Sequence, residues 1–394
     1  MSMERAKSGE LFLNIGHTLD HLFLLIYPTV VLAMSPEFGK PYSEMLPLAL
    51  GGFIAFGAGS LPAGWLADRW SRRGMMIVFF IGIGAASIVT GLVQAPWQIA
   101  AALTLMGLFA AIYHPVGIAM LVSGRDKVGK VLGVNGVFGN LGVAFAALIA
   151  GALAHWINWR AAFIAPGLVA IAVGIAFAVM VPEMRVEARR SGGGPGVGFS
   201  RALLVRVFAI LTVTTTFGGV IFNSTTVAMP KIFDERLGGL VSTTLGIGIL
   251  VSLVYAFAAM AQLVVGHFLD RGAIKPVLLS VLGFQAPLMI AAAYFDNHLM
   301  LLVALAMMFF VFGQIPINDA MVAAYTNEAW RSRMYALRYV ASFGASAFAV
   351  PLVAATHRYS SDFKYLFFAL AAMSLLMFAV AFLLPSHARQ RAPA

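Results

Sequence analysis

The chain has 394 residues, 61% of them hydrophobic and only 11% charged, whereas soluble domains carry about 45–50% apolar and about 25% charged residues. A globular core cannot hide that much apolar surface, so the excess must face lipid, and an all-α polytopic membrane protein is expected. The absence of cysteine excludes disulfides, thiolate metal sites and cysteine nucleophiles, and the net charge of +10 is better explained by basic loops at a membrane surface than by nucleic acid.

A membrane span needs about 20 apolar residues. The first is expected at 11–34, where Asn14, His17, Asp20 and His21 interrupt the apolar run. No small-residue cleavage site follows, so the segment reads as a retained span rather than a signal peptide. At about 100° per residue these four side chains share an arc of about 120° on one helical face. Ionisable groups inside a span each cost a few kcal/mol or more unless paired or hydrated, so this face is expected to look into a central cavity. There Asp20 could hold a proton on His17, three residues away, or the group could only hydrogen-bond neighbouring helices.

The second span, 46–67, leads into Gly64-Trp65-Leu66-Ala67-Asp68-Arg69-Trp70-Ser71-Arg72-Arg73. Spans follow at 75–94 and 98–122, the latter holding Tyr113-His114-Pro115. Pro115 frees a backbone carbonyl one turn earlier, so His114 is expected either as a second cavity ligand or as a support for the resulting kink. The fifth span, 131–155, carries Gly133, Gly136, Gly139 and Gly142, a small-residue stripe expected to pack on the eighth span. The sixth is expected at 161–181, preceded by Trp159-Arg160-Ala161-Ala162-Phe163.

Residues 182–203 contain Ser191-Gly192-Gly193-Gly194-Pro195-Gly196, a flexible linker composition at the chain midpoint. Beyond it, spans are expected at 204–229, 243–269, 275–295, 299–325, 333–356 and 365–385, followed by a tail, 386–394. The chain is thus read as an N-terminal bundle, 1–181, and a C-terminal bundle, 204–385, each of six helices. In the tenth span Gln314, Asn318 and Asp319 surround Pro316. Asp319 could be a cavity acid or could pair with a loop base. Arg338 in the eleventh span cannot discharge itself and needs an anion: Asp319, a substrate group, or water reached by snorkelling.

Nineteen of the 26 lysines and arginines fall on the side of Arg69, Arg72, Arg73, Arg125 and Arg271. The positive-inside rule therefore puts both termini and the linker in the cytoplasm. The halves also repeat. Gly64-x-x-x-Asp68-Arg69 recurs as Gly266-x-x-x-Asp270-Arg271, 202 residues later, and Tyr27-Pro28 aligns with Met229-Pro230 at the same offset. Pro115 aligns with Pro316 one residue short of it. Such parallel repeats imply two six-helix bundles related by an axis along the membrane normal.

The repeated loop and the Trp159-Arg160-Ala161-Ala162-Phe163 stretch resemble the major facilitator superfamily, with Ser71 where that family's loop has glycine. The resemblance covers nearly the whole chain. It implies a twelve-helix carrier that alternates its access, with Gly64, Asp68, Arg69, Arg72, Arg73, Gly266, Asp270 and Arg271 as gating elements. Gly16-His17-Thr18-Leu19-Asp20-His21, Tyr27-Pro28 and Tyr113-His114-Pro115 further resemble the fosmidomycin-resistance group of drug exporters, although Asp20 stands where asparagine is expected. A phosphonate-like drug is the cargo that this narrower resemblance implies.

These readings converge on a monomeric, multi-pass protein of a bacterial inner membrane that exports a small organic compound in exchange for protons. Uptake of a small anionic metabolite is the alternative, as is passage of a divalent metal through His17, Asp20, His21 and His114. No cofactor is implied. The chain lacks the Walker A, H-E-x-x-H and G-x-S-x-G patterns, so neither ATP-driven transport nor catalysis is expected.

Overall fold

Long apolar runs punctuated by proline and glycine leave the backbone one solution inside lipid, which is to satisfy its own polar groups in helices. The computed structural model describes residues 3–123, 129–183, 201–271, 274–325, 328–360 and 362–385 and, within these, all side chains except those of 3–8, 129–130, 201, 328–340 and 343. The described residues contain no strand.

In chain order the helices are α1 (Met3–Phe38), α2 (Tyr42–Met45), α3 (Leu50–Arg69), α4 (Arg72–Leu92), α5 (Pro96–Ala110), α6 (Ile118–Val122), α7 (Gly129–Trp156) and α8 (Ala161–Met180). The second half contributes α9 (Arg201–Arg236), α10 (Thr244–Asp270), α11 (Ile274–Ala292), α12 (Asn297–Tyr325), α13 (Glu328–Ser360) and α14 (Lys364–Ala381). Among the described residues, eleven stretches are long and apolar enough to cross a membrane. The twelfth expected span, 333–356, lies in α13, where the side chains of 328–340, including Arg338, fall outside the described residues.

The repeat is visible in the elements themselves. The opening helices of the halves, α1 and α9, are both 36 residues long and hold Pro28 and Pro230 in their interiors. The two G-x-x-x-D-R segments close α3 and α10. Pro115 and Pro316 behave differently. Pro316 sits inside the continuous α12, whereas Pro115 lies in a π-helical turn, Tyr113–Gly117, that joins α5 to α6. Proline deletes one donor and bars one carbonyl, and here the wider turn absorbs both.

The chain divides into two compact units, Met1–Glu187 with Thr226–Ala256, and Ala188–Thr225 with Phe257–Ala394. In the first, glycines set the helix spacing. A Cβ on Gly84 would lie 2.6 Å from the Gly167 carbonyl oxygen, and one on Gly167 would lie 2.7 Å from that of Gly84, so α4 and α8 meet backbone to backbone. Without a strong hydrophobic drive between helices in lipid, such close approach and its dispersion energy hold the pair.

The glycine stripe of α7 turns out to serve another neighbour than the one expected. Gly139 faces the His17 ring and Gly142 faces the Thr18 carbonyl, both on α1, while Gly133 and Gly136 meet nothing within 4 Å. The contact of α7 with α10 lies further along, where Gly151 abuts the Thr244 carbonyl, Gly248 abuts that of Ala147, and the Ser252 hydroxyl donates to the Ala144 carbonyl. At the opposite end of α1, Glu37 accepts from Trp159 Nε1 at 2.6 Å and from Arg160 Nη1 at 2.8 Å. The tryptophan and arginine ahead of α8 thereby staple that turn to the end of the first helix.

In the second unit, α11 packs against both α12 and α14, and polar side chains bridge all three. Gln285 Nε2 donates to Gln314 Oε1 at 3.1 Å, and Ser374 Oγ approaches Gln285 Oε1 at 3.4 Å.

Candidate functional site

The polar face of α1 faces inward. Asn14, His17 and Asp20 are buried, Asp20 completely, and His21 is half-buried. His114 reaches this face from the π-helical turn of the fourth span. One nitrogen from each of His17, His21 and His114 lies within 4.8 Å of the others, the His17 and His21 Nε2 atoms being 3.1 Å apart.

The pairing differs from the one expected along α1. Asp20 sits three residues from His17 in the chain, yet its carboxylate faces His114 Nε2 at 3.4 Å. Neither carboxylate oxygen makes a hydrogen bond among the described residues. His17 instead turns to α7, where its Nδ1 donates to the Asn135 carbonyl at 2.7 Å. That bond fixes the proton on Nδ1 and presents the Nε2 lone pair to His21. The geometry follows from the glycine at 139, since a Cβ there would lie 2.6 Å from His17 Cε1.

The cluster is held by Asn135, which no motif marks, and by Tyr113, which the sequence shows only as part of Tyr113-His114-Pro115. Asn135, buried in α7, donates through Nδ2 to Asn14 Oδ1 at 2.9 Å and to the Tyr113 hydroxyl at 2.8 Å. Tyr113 in turn donates to the Leu13 carbonyl at 2.8 Å and stacks on His17, with ring centroids 4.9 Å apart and planes inclined by 18°. Three helices are thus tied at one level by a connected set of buried hydrogen bonds, which makes each member costly to remove. The available signal for Asn135 was an amide inside a glycine-rich span.

The tenth-span candidates form a second polar layer in the other unit. Gln314 Nε2 donates to the Thr214 carbonyl at 2.9 Å, and Asn318 Oδ1 accepts from Thr214 Oγ1 at 3.1 Å. Asp319 follows half-buried on α12. Arg338 lies on α13, its side chain outside the described residues.

The loop after α3 is locally cross-braced. Arg72 clasps Asp68 Oδ1 with Nη2 at 2.7 Å and Nε at 3.2 Å. Asp68 therefore meets its own loop's arginine. Arg73 donates to the Val181 and Ala178 carbonyls at the end of α8. Ser71, standing in place of the expected glycine, caps α4 by accepting from the Gly74 amide at 2.8 Å and donates to Glu183 at 2.6 Å. Arg69 lies over the Trp65 ring at 4.1 Å, Gly64 faces Pro115, and Gly266, Asp270 and Arg271 occupy the end of α10.

A family model described as Major Facilitator Superfamily matches residues 15–246 and 237–394. The puromycin resistance protein of Streptomyces alboniger is 34% identical over 110 residues, 27% of this chain and 22% of that protein. The Na(+), Li(+), K(+)/H(+) antiporter of Planococcus maritimus is 29% identical over 118 residues, 29% of this chain and 26% of that one. The matched stretch thus spans about a quarter of the length of either relative. Among solved structures, the nucleoside transporter NupG superposes with a TM-score of 0.75 at 14% identity, covering 95% of this chain and 99% of that one. A bacterial homologue of the human lysosomal transporter Spinster, inward-facing and occupied, gives 0.74 at 15% identity, covering 98% and 95%. At such identities the likeness is one of fold.

Proposed function

Because the chain belongs to the Major Facilitator Superfamily, we propose that it is a secondary transporter that carries a small organic compound outward in exchange for protons, with the imidazole–carboxylate cluster of α1 and the fourth span as its proton site. The observation that carries this reading is Asp20. Its carboxylate is fully buried in a span, faces His114 Nε2 at 3.4 Å, and has no hydrogen-bond donor among the described residues. A bare charge in that position costs several kcal/mol or more, about what a membrane interior exacts from any unpaired ion. A proton removes the cost, and the neighbouring imidazoles can receive and pass it on.

Alternating access then consists of the bundles 1–181 and 204–385 rocking about this level, joined by the linker 182–203. In the C-terminal half, Gln314, Asn318, Asp319 and Arg338 are the residues assigned to cargo handling. The G-x-x-x-D-R loops, Asp68 clasped by Arg72 and Asp270 with Arg271, stabilise one of the two states. Both termini lie in the cytoplasm, on the side of the basic residues. Export is supported by the names of the two relatives, one a drug-resistance protein and the other a cation/proton antiporter. The likeness of the His17–Asp20 and His114–Pro115 segments to fosmidomycin-resistance exporters makes phosphonates the first cargo to try, with Arg338 as the anion contact.

The test is proton flux in liposomes holding the purified full chain and a pH-sensitive dye, challenged with phosphonates, carboxylates and cationic drugs. Proton movement triggered by one organic class supports the proposal and names the cargo. Cargo movement that leaves the internal pH unchanged would overturn the proton exchange.

A further inference from the structure

Three imidazoles converging on one point, with His17 fixed by the Asn135 carbonyl, are more than a proton site requires. We infer that His17, His21 and His114, with Asp20 beside them, form a binding site for a divalent transition-metal ion of the zinc, cobalt or nickel type. The nitrogens, one from each ring, lie within 4.8 Å of one another, and His17 and His21 Nε2 are 3.1 Å apart. Tetrahedral Zn–N bonds of about 2.0–2.1 Å place ligand nitrogens about 3.3 Å from each other, so this pair already stands near coordination spacing. The i,i+4 separation on α1 puts both rings on one face one turn apart. The third comes from a π-helical turn, an irregularity that recurs at functional sites.

The surroundings match what ligating histidines need. A metal-bound imidazole hands its other N–H to a carbonyl or a carboxylate. His17 does so to the Asn135 carbonyl at 2.7 Å, which leaves Nε2 as the donor atom. His114 has the Asp20 carboxylate at 3.4 Å, either as its orienting partner or as a fourth ligand that offsets the ion's charge. Tyr113, stacked on His17 and bonded to Leu13 and Asn135, holds the ring in place. Gly139 leaves room for it. Nitrogen ligands in this number select borderline transition ions over magnesium and calcium, which take oxygen shells.

The inference is independent of whether protons drive transport, and its test reads binding alone. The full chain in lipid nanodiscs is dialysed against Zn2+, and the metal retained per chain is measured. Co2+ is then added as a spectroscopic probe. The expected result is about one Zn2+ per chain, an intense visible Co2+ absorption of tetrahedral type, and no retention of Mg2+. His21→Ala and His114→Ala should each weaken Zn2+ binding by more than about 100-fold, beyond the 10–100-fold that second-shell losses cost. His21→Gln serves if the alanine variant does not fold, with dispersity checked by gel filtration. Wild-type protein that retains no Zn2+, or variants that retain it equally, would overturn the site. Proton flux that persists in chelator without any Zn2+ retention would overturn this inference and leave the transport reading intact. Zn2+ retention together with no proton flux in the metal-free protein would do the reverse.

Discussion

At the scale of the residue, the decisive feature is how Asp20, His17 and His114 choose partners. Spacing along α1 suggested an Asp20–His17 pair, but side-chain direction in a helix is set by the neighbouring helices as well as by i,i+3 geometry. His17 is drawn to the Asn135 carbonyl by the gap that Gly139 leaves, and Asp20 is left to His114. That the four ionisable groups share a buried face was legible from their period and from the cost of charge in lipid. Which of them touch was not, because it depends on a helix more than 100 residues away in the chain. Asn135 carries the strongest expectation at this scale. Replacing it by leucine removes two buried hydrogen bonds and leaves Asn14 and the Tyr113 hydroxyl short of a donor. Buried groups left in this way cost about 1–3 kcal/mol. Asn135→Leu should therefore lower the unfolding midpoint in detergent by several degrees, and an unchanged midpoint would show that the bridge contributes nothing.

At the scale of the element, glycine and proline carried most of what the sequence said and also its main misreading. The stripe at Gly133, Gly136, Gly139 and Gly142 correctly announced a close helix contact. A stripe names no neighbour, however, and the partner is α1 through Gly139 and Gly142. The repeat predicted matching prolines, and it did so correctly for Pro28 and Pro230 inside equally long helices. Pro115 and Pro316 diverge because proline dictates only which hydrogen bond is lost, while surrounding packing decides how the turn accommodates it. The glycine assignment is open to a paired measurement. A Cβ at 142 would strike the Thr18 carbonyl, a backbone atom that cannot yield without moving α1. Overpacking of that kind costs about 1–3 kcal/mol. At 133 nothing lies within 4 Å, and open positions shift stability by no more than about 0.5 kcal/mol. Gly142→Ala should thus melt earlier than wild type, whereas Gly133→Ala should melt at about the wild-type temperature. Equal loss in both would contradict the α1–α7 contact.

At the scale of the molecule, composition, twelve apolar runs, the duplicated loop and the charge bias sufficed to specify a duplicated membrane bundle, and the family match agrees with it. The cargo was illegible for a physical reason. In such a carrier it is read by a few side chains on helices from different parts of the chain, and their convergence is a property of the packed bundle. The buried layer of Gln285, Gln314, Thr214 and Asn318 shows how polar groups can be gathered from three helices, α9, α11 and α12, that lie far apart in the chain.

The central claim is that Asp20 is where the proton enters the transport cycle, and Asp20→Asn tests it most directly. Asparagine keeps the shape of the side chain but cannot gain or lose a proton. In liposomes, with a cargo identified by proton flux, two rates are compared in the variant and in wild type: exchange of cargo at equal concentration and pH on both sides, and accumulation driven by an imposed pH gradient. The account predicts that the variant still exchanges cargo and no longer accumulates it. Accumulation at the wild-type rate in Asp20→Asn would contradict it and place the proton elsewhere in the chain.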